Sequence, residues 1–527
     1  MRFSLAVVVA AAALVAGQSD AVTPDAATPD WGVVAGVNSW LVAGGDLADT
    51  HSDLLVPEIP PQQAGKLTQK WVFTTTGDVS ATPTLEPGAL YVPDWGGMIY
   101  RLDPATGQKV WAQKLSAYTG NPNSLTRSSP AITAKYIIVG DEASGTIIAI
   151  DKATGALAWR SVVDPLPAAL ITASPTVIGN LVLVGSSSVE EGLAQIRTGY
   201  VPSFRGMIAM LDLDTGQMLW NFRTVPKGYT GGAVWSSSFA IDSVGLILYA
   251  TTGNNYTVPP AVSACLLKAV GPDAQSACLG PNDYIDSIVS LDLLTGKLRW
   301  ARRMIGFDTY VNSCVASPAK GIPCPDPAGP DYDFGAAPNL FTTVIDGVPT
   351  QLVGAGQKSG AYWALDAKTG ATRWATQVGP GGRAGGIMWG TAADGQRVYA
   401  AINDSSGTAY TLATGGTSWK AGSWAALDAA TGKILWQVPT TGHNPLAPTL
   451  GAGALGALSA ADGVVYAGSM SGDMVALDAA TGATLWKFAS GGSVICAPSI
   501  VGQTLYWGSG YRRFGTGNDK IFAFSVP

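Results

Sequence analysis

Short apolar strands dominate the pattern of hydrophobic and polar positions along this chain. Segments such as MIYRLD (residues 98–103) and MVALD (474–478) alternate apolar and polar residues, which is typical of half-buried β-strands. Each of these segments runs into Thr-Gly, where Gly supplies the positive φ that a tight turn requires. A second strand then leaves the turn and ends at a Trp. The pattern predicts an all-β protein built from hairpins, with no helical period between them.

The hairpin recurs as the motif Asp-x-x-Thr-Gly-x-x-x-Trp. Seven copies occupy residues 103–111, 151–159, 212–220, 292–300, 366–374, 428–436 and 478–486. A Ser/Ala-x-Pro segment and a further apolar strand precede most copies, so each repeat contains about four strands. A four-stranded unit repeated radially is a propeller blade. We expect the repeated Trp to pack between neighbouring blades and the repeated Asp to bond turn amides, so neither is expected to be catalytic.

Both ends of the chain show how the ring closes. Trp71 looks like an eighth terminal Trp without the Asp-x-x-Thr-Gly half, and the last strand, KIFAFSV (residues 520–526), has no following turn. Pairing these two strands leaves no exposed sheet edge. The predicted fold is an eight-bladed β-propeller with tryptophan-docking repeats, closed by N- and C-terminal strands in one blade. Trp220 and Trp300 are 80 residues apart, so the middle blades carry long insertions, where functional loops are expected.

The N-terminus predicts export. Arg2 precedes an apolar run from Phe3 to about Ala16, which is typical of a secretory signal peptide over residues 1–21, although an uncleaved anchor stays an alternative. An N-terminal extension (22–65) and the propeller (66–527) are expected to follow. No other apolar run is long enough to span a bilayer, so we expect a periplasmic or secreted protein without an integral membrane segment after signal cleavage.

Composition narrows the function classes. The chain has 13% charged residues, a net charge of -6 and no run of Lys or Arg, so no nucleic-acid partner is expected. Two His residues and no CxxCH motif argue against a His-based zinc centre, a Ser-His-Asp triad and a covalent haem. Short disulfides are plausible within the pairs Cys265/Cys278 and Cys314/Cys324, with Cys496 left over, but the sequence does not fix the connectivity.

Because charge is scarce, carboxylates and amides that interrupt the repeats stand out. Glu190 and Glu191 follow an apolar strand, Asn254 follows another, and Asp331 lies in an extended segment two residues before Asp333. Oxygen donors without His or Cys suit Ca²⁺ or Mg²⁺. A carboxylate beside such an ion could abstract a proton from an alcohol. Each residue is equally an ordinary loop side chain when taken alone, and spacing does not show that they converge.

Two cations and an aromatic residue complete the candidate set. Lys358 and Arg205 could bind an anionic cofactor, and Trp235 offers a flat face on which an aromatic ring can stack.

The repeated motif resembles the tryptophan-docking motif of pyrroloquinoline quinone (PQQ) dependent alcohol dehydrogenases, which are eight-bladed propellers. GGAVW…LYATTGNNY is similar to a stretch of that family whose Trp stacks on PQQ and whose Asn ligates calcium. The resemblance thereby implies Trp235 and Asn254 in these roles. PDYDFGAAPNLF is similar to the segment that carries the catalytic base, which implies Asp331 as base and as a ligand of the metal beside Glu190 or Glu191.

Other family motifs imply the remaining cofactor contacts. QKSG resembles the motif whose Lys contacts the quinone oxygens, which implies Lys358, and SFRG implies Arg205 near a PQQ carboxylate. Arg127 and Trp389 are implied as further cofactor-binding residues. Within the family, PDWGG, SSSVEE and YWGSGYRRFG look like the polyvinyl alcohol dehydrogenase group. The implied activity is PQQ- and calcium-dependent oxidation of secondary alcohols, polyvinyl alcohol or similar, with electrons passed to a separate acceptor such as a cytochrome c.

The chain departs from the family at several positions. Ala233 stands where many members have Thr, Met388 where Asn often precedes the Trp, and Pro330 in place of Trp before Asp331; an adjacent Cys pair is absent. Two alternatives therefore stay open. One is a catalytically inactive propeller scaffold that binds a protein or polysaccharide partner, and the other is a calcium-stabilised carbohydrate-binding propeller.

Overall fold

Eight blades, each built on four antiparallel strands, form a closed ring in the computed structural model, which describes residues 38–53, 59–236, 238–315 and 321–527. Two blades carry a fifth short strand, Ser52–Asp53 or Ala169–Leu170. The predicted signal peptide (1–21) lies outside the described residues. From the innermost to the outermost strand, blades 1 to 4 are Thr84–Glu86, Ala89–Pro93, Met98–Leu102, Lys109–Lys114; Ala131–Ile132, Tyr136–Gly140, Thr146–Asp151, Leu157–Val162; Thr176–Ile178, Leu181–Ser188, Met207–Asp212, Met218–Arg223; and Ala240–Asp242, Ile247–Thr251, Ser287–Asp292, Leu298–Arg303.

The second half of the ring repeats this order. Blades 5 to 8 are Asn339–Ile345, Val348–Gly356, Ala361–Asp366, Thr372–Gln377; Ala392–Ala393, Arg397–Ile402, Ser423–Asp428, Ile434–Pro439; Ser459–Ala461, Val464–Gly468, Asp473–Asp478, Thr484–Ala489; and Ser499–Val501, Thr504–Ser509, Lys520–Ser525, Thr68–Thr74. Blade 8 therefore joins the two ends of the chain, with Trp71 opposite Ala523. The predicted eight-bladed ring and its closure are confirmed.

Short elements decorate the connections between the strands. Helices are α1 (Pro61–Ala64), α2 (Leu115–Thr119), α3 (Glu190–Ile196), α4 (Pro260–Leu266), α5 (Pro272–Cys278) and a 3₁₀ turn (Asn312–Cys314). Minor strands are Ser52–Asp53, Ala169–Leu170, Thr230–Gly231, Asn255–Thr257, Tyr410–Thr411, Ser418–Trp419, His443–Asn444 and Ala447–Gly451. None of the helices over the described ranges is long and apolar enough to cross a bilayer.

The repeated motif joins each blade to the next. In blade 7 the carboxylate of Asp478 accepts the amide N–H and the hydroxyl of Thr481, both at 2.8 Å. The indole of Trp436 in blade 6 donates to the carbonyl of Ala479 at 2.9 Å and lies on Gly482. The same indole-to-carbonyl bond is made by Trp71, Trp111, Trp159, Trp220, Trp300, Trp374 and Trp486. The predicted structural roles of the Asp and the Trp are confirmed.

A segment of the predicted N-terminal extension runs along the inner strands of the blades. Backbone hydrogen bonds tie residues 40–51 to Leu85, Ile132, Ile241, Leu340, Ala393 and Ala460, one each in blades 1, 2, 4, 5, 6 and 7. His51 in this segment lines a small cavity of about 50 Å³ together with Arg127 and Trp389. Because Arg127 and Trp389 also line the larger cavity described below, the segment lies next to that cavity.

Two disulfides brace the insertions of the middle blades. Cys265–Cys278 joins α4 to α5, and Cys314–Cys324 closes the connection that leads towards Asp331. Cys496 is free and buried, and burial raises the pKa of its thiol to about 12. The pairing expected from the sequence is confirmed, and two disulfides are compatible with an oxidising compartment.

Candidate active site

A cavity of about 1480 Å³ opens at one end of the ring axis. Connections from all eight blades contribute to its walls, which explains why residues far apart in sequence meet there. The contributing side chains include Trp95, Arg127, Glu191, Trp235, Asn254, Asp331, Asp333, Lys358, Arg383, Trp389, Asn444, Met470 and Tyr511.

Lys358 is the centre of the charged wall. It lies in the turn between the second and third strands of blade 5, and its ammonium is 2.8 Å from Asp331 Oδ1 and 2.5 Å from Asp333 Oδ1. The indole N–H of Trp235 donates to Asp333 Oδ2 at 2.5 Å, and the ammonium is 5.1 Å from the centre of the Trp235 ring. Asp331 has a φ of 60°, a left-handed conformation that non-glycine residues adopt rarely and that needs support from the surrounding structure.

Asp308 supports this conformation from the preceding loop. Its carboxylate accepts the backbone N–H groups of Asp331 at 3.1 Å and Tyr332 at 2.6 Å. Asp308 is fully buried, and burial raises its pKa to about 7 although these two N–H groups act in the opposite direction. The sequence analysis did not select Asp308, because nothing in the pattern signals a contact with a residue 23 positions away in the sequence.

The electrostatics of this wall are dominated by buried acids. Burial raises the pKa of Asp331 well above its ordinary value, while the Lys358 ammonium opposes the rise. Burial also raises the pKa of Asp286, with Asp308 and Asp333 adding to it. Burial disfavours the charge of Lys358, but the carboxylates of Asp331 and Asp333 outweigh this effect and raise its pKa. Acidic groups therefore outnumber the single ammonium on this wall, and burial disfavours the ionised form of these acids.

The structure separates the two adjacent glutamates. Both lie in the first turn of α3, where successive side chains point about 100° apart. Glu191 lines the cavity beside Asn254, and burial raises its pKa to about 7. Glu190 is fully buried away from the cavity, and its carboxylate accepts hydrogen bonds from Tyr200, Ser203 and Phe204. Glu190, expected as a possible metal ligand, is therefore not brought into the site, because its acceptors are already used.

Asn254 presents an oxygen donor to the same wall. Its side-chain nitrogen donates to the carbonyls of Asn255 at 3.0 Å and Tyr310 at 3.1 Å. These bonds occupy the nitrogen and leave the amide oxygen as the atom that can ligate a metal.

The donors present match calcium in kind. Glu191, Asn254 and Asp331 offer hard oxygen ligands in one cavity wall, where the excess of buried carboxylates favours a divalent cation. In the part of the chain that the structure describes, no three His, Cys, Asp or Glu side chains are placed to hold a metal by themselves. The amide of Asn254 and oxygens of a bound ligand are thus needed to complete a coordination shell.

A second group of residues suits a flat, anionic ligand. The Arg127 guanidinium lies 4.4 Å from the centre of the Trp389 ring, and Trp389 meets Trp235 edge to face at 5.5 Å. Trp389 has a φ of 57°, so both Trp389 and Asp331 have left-handed backbones. Burial lowers the pKa of Arg127, and Glu142, 3.8 Å away, opposes this effect. Aromatic faces beside a buried guanidinium fit the ring and carboxylates of PQQ.

Arg205 does not reach the cavity. The Nε and Nη2 atoms of Arg205 donate to the carbonyl of Val225 at 3.0 and 2.6 Å, and the guanidinium of Arg223 donates to the backbone carbonyl of Arg205. The structure therefore does not place Arg205 near an anion in this site. Arg383 lines the cavity instead and donates to the hydroxyl of Tyr310 at 3.0 Å. The sequence signal for Arg383 was a lone cation in a glycine-rich loop, GPGGRAGG.

Comparisons with known proteins agree with the fold. The PQQ_2 family model, described as outer membrane protein assembly factor BamB, matches residues 64–237 and 420–516. The chain is 31% identical over 396 residues to polyvinylalcohol dehydrogenase of Sphingopyxis sp. (strain 113P3), covering 72% of this chain and 56% of that protein. It is 28% identical to polyvinylalcohol dehydrogenase of Pseudomonas sp, covering 66% and 52%. The chain thus spans about half the length of these relatives.

A solved structure gives the same fold. The quinohemoprotein alcohol dehydrogenase of Comamonas testosteroni superposes with a TM-score of 0.69 at 22% identity, covering 93% of this chain and 80% of that one. The family match covers more than half of the chain, and the solved structure agrees with the propeller. The chain therefore belongs to the family of PQQ-dependent alcohol dehydrogenases, the quinoprotein eight-bladed propellers.

Proposed function

We propose that this protein oxidises secondary alcohols with bound PQQ and Ca²⁺ and passes the electrons to a separate acceptor such as a cytochrome c. The observation that carries the proposal is the convergence of Glu191, Asn254, Asp331, Lys358 and Trp235 in one axial cavity. These residues come from blades 3, 4 and 5 and are not part of the repeated Asp-x-x-Thr-Gly-x-x-x-Trp motif. A buried set of charges costs free energy, so its presence favours a function.

Asp331 is the base of the proposed reaction. Burial raises the pKa of its carboxyl group, which makes the carboxylate a stronger base than an exposed aspartate, and Lys358 at 2.8 Å favours its ionised form. The carboxylate accepts the hydroxyl proton of the alcohol, and the carbon loses a hydride as the ketone forms. PQQ, when bound, supplies the acceptor for that hydride.

Other residues hold and orient the reactants. Glu191 and Asn254, with Asp331, are the proposed calcium ligands, and Trp235 offers the stacking face for the quinone. Arg127 and Arg383 are the cavity cations proposed to bind the carboxylates of PQQ. The Trp389 ring packs against the guanidinium of Arg127. Lys358, between the base and Trp235, is proposed to contact a quinone oxygen.

Polyvinyl alcohol or a similar secondary alcohol is the proposed substrate class, since two relatives carry polyvinylalcohol dehydrogenase as their name. A cavity of about 1480 Å³ exceeds the roughly 300–1,000 Å³ typical of small-molecule pockets, so a cofactor leaves space for a bulky alcohol. The two disulfides and the predicted signal peptide support a periplasmic or secreted location.

The alternative of an inactive scaffold draws on the description of the matched family. That match covers residues 64–237 and 420–516, which carry repeated blades. The intervening residues hold Asn254, Asp331, Lys358 and Trp389. Because the match includes Arg127, Glu191 and Trp235, it covers part of the site without deciding between the two functions, whereas the buried charges favour an enzyme.

Reconstitution of the purified protein with PQQ and Ca²⁺ tests the proposal. We expect PQQ binding by absorbance and calorimetry, and PQQ-dependent dye reduction with secondary alcohols including polyvinyl alcohol. Asp331→Asn should retain PQQ binding and lose at least 100-fold in kcat, because general-base catalysis contributes about 10²–10⁴-fold. Glu191→Gln should weaken the calcium dependence of PQQ binding.

Asp214→Asn is the matched control, because Asp214 is exposed in a repeat turn outside the cavity. PQQ binding without turnover, unchanged by Asp331→Asn, would instead support the scaffold. Absence of PQQ binding in the presence of calcium would refute the cofactor assignment itself.

A further inference from the structure

Apolar side chains are exposed at the mouth of the cavity. Leu446 is 65% exposed, Phe514 48% and Val189 47%, and all three line the cavity. They belong to connections of three different blades. Exposed apolar side chains clustered around a pocket mark a surface that contacts a ligand.

An aromatic path leads inward from this mouth. Phe514 meets Tyr511 edge to face at 5.9 Å, and Tyr511 meets Trp95 in the same way at 5.8 Å. The indole N–H of Trp95 donates to Ser80 at 2.6 Å, which fixes the ring in place. The path is therefore a rigid apolar surface, since each ring is held by the next.

The path continues to the charged wall. Tyr511 packs in one cluster with Leu455 and Met470, and Trp95, Trp235 and Trp389 contact that cluster. Trp235 in turn bonds Asp333, beside Lys358 and Asp331. The acids and Lys358 thus come from blades 3 to 5, whereas the connections of blades 1, 7 and 8 contribute mainly apolar side chains, with Arg513 as a charged exception.

We propose that this apolar wall is the subsite for the aliphatic chain of the alcohol, and that Leu446, Phe514 and Trp95 set a preference for long-chain alcohols over short ones. The inference rests on the proposed function and adds the residues that select the substrate. A neutral chain fits because Leu446 and Phe514 carry no charge, and the Arg513 guanidinium beside the Phe514 ring is paired with Glu142 at 3.3 Å. The chain lies along the aromatic path while one of its hydroxyl groups reaches Asp331.

Chain-length kinetics of the holoenzyme test this assignment. Secondary alcohols from propan-2-ol to dodecan-2-ol, and polyvinyl alcohol, are compared by dye reduction. We expect kcat/KM to rise with chain length. Leu446→Ser and Phe514→Ser should each lower kcat/KM for dodecan-2-ol about ten-fold or more through KM, because each removes a large apolar contact. Kinetics with propan-2-ol should stay within two-fold of the wild type.

Leu294→Ser is the matched control. Leu294 is 48% exposed in a repeat turn where the other copies carry Ala, Lys or Asp, so the substitution is tolerated and lies outside the cavity. It should change neither chain-length dependence nor KM.

A second readout does not depend on turnover. Polyvinyl alcohol added to the protein without PQQ should quench tryptophan fluorescence with saturation, and Phe514→Ser should weaken that binding, whereas Leu294→Ser should not. If no alcohol is oxidised but the polymer still binds through Phe514, the proposed function fails and the subsite stands. Oxidation without chain-length dependence overturns the subsite. Variants that slow reduction of a cytochrome c but not of the dye also overturn it, since the mouth would then bind the electron acceptor.

Discussion

The repeated motif requires glycine for two reasons, its left-handed backbone conformation and the closeness of a Trp ring. The substitution Gly482→Ala tests both. Gly482 has a φ of 74°, where an L-residue is disfavoured by about 1–2 kcal/mol. A Cβ atom at this position would lie 2.7 Å from Cε3 and 2.8 Å from Cδ2 of Trp436. Both distances are below any normal carbon contact, and Trp436 is 3% exposed, so its ring has no free space into which to move.

The magnitude follows from these two contributions. Overpacking of a well-packed interior costs about 1–3 kcal/mol, and displacement of the ring also weakens its bond to Ala479, worth about 1 kcal/mol. Gly482→Ala should therefore lower the free energy of unfolding by about 3–6 kcal/mol. Gly88→Ala should cost about 1–2 kcal/mol, because Gly88 has a φ of 77° and nothing within 4 Å of the added Cβ.

Urea denaturation followed by far-UV circular dichroism measures both variants against the wild type. The decisive comparison uses Trp436→Ala as a background, where Gly482→Ala should cost no more than Gly88→Ala does in the wild type. Equal costs of the two glycine substitutions in the wild type, or an undiminished cost without the Trp436 ring, would refute the dual role of this glycine.

Two further predictions concern buried ionisable groups. Burial lowers the pKa of His51 to about 4, so as the pH falls below 6.5 this histidine is protonated in the unfolded chain before it is protonated in the folded protein. The free energy of unfolding should therefore decrease by about 3 kcal/mol between pH 6.5 and pH 4. Urea denaturation should show no such loss for His51→Asn and the full loss for His443→Asn, since His443 is exposed. Glu190→Gln places an N–H donor against the N–H of Ser203 and should lower the free energy of unfolding by about 2–3 kcal/mol in the same assay. Glu191→Gln should leave the free energy of unfolding unchanged, because Glu191 faces the cavity. Similar losses for both variants would contradict the assigned positions of the two side chains.

Most of the fold was predictable because it is repeated and local. The Asp-x-x-Thr-Gly turn is closed by contacts within four residues, so its signature is visible in any one copy. Seven copies of the motif, together with Trp71, which lacks the Asp-x-x-Thr-Gly half, were enough to predict the number of blades and the closing strand pair. The inner-strand contacts of residues 40–51 were not predicted, because they are backbone bonds that any side chains can make.

The site was predictable only where a motif marks it. Asp331, Lys358, Asn254 and Trp235 lie in segments that resemble family motifs. Asp308 carries no local signal, and Arg383 is marked only as a lone cation in a glycine-rich loop. The sequence could not choose between Glu190 and Glu191, because the choice depends on which face of α3 meets the cavity.

The sequence by itself determined the hairpin, its repetition and the scarcity of charge, since these depend on neighbours along the chain. The tertiary structure alone decided which charges meet. It gathers Glu191, Asn254, Asp331 and Lys358 from three blades and turns Arg205 and Glu190 to other partners. The physical reason is that ring closure sets distances between connections of different blades, and those distances are not encoded in any one segment.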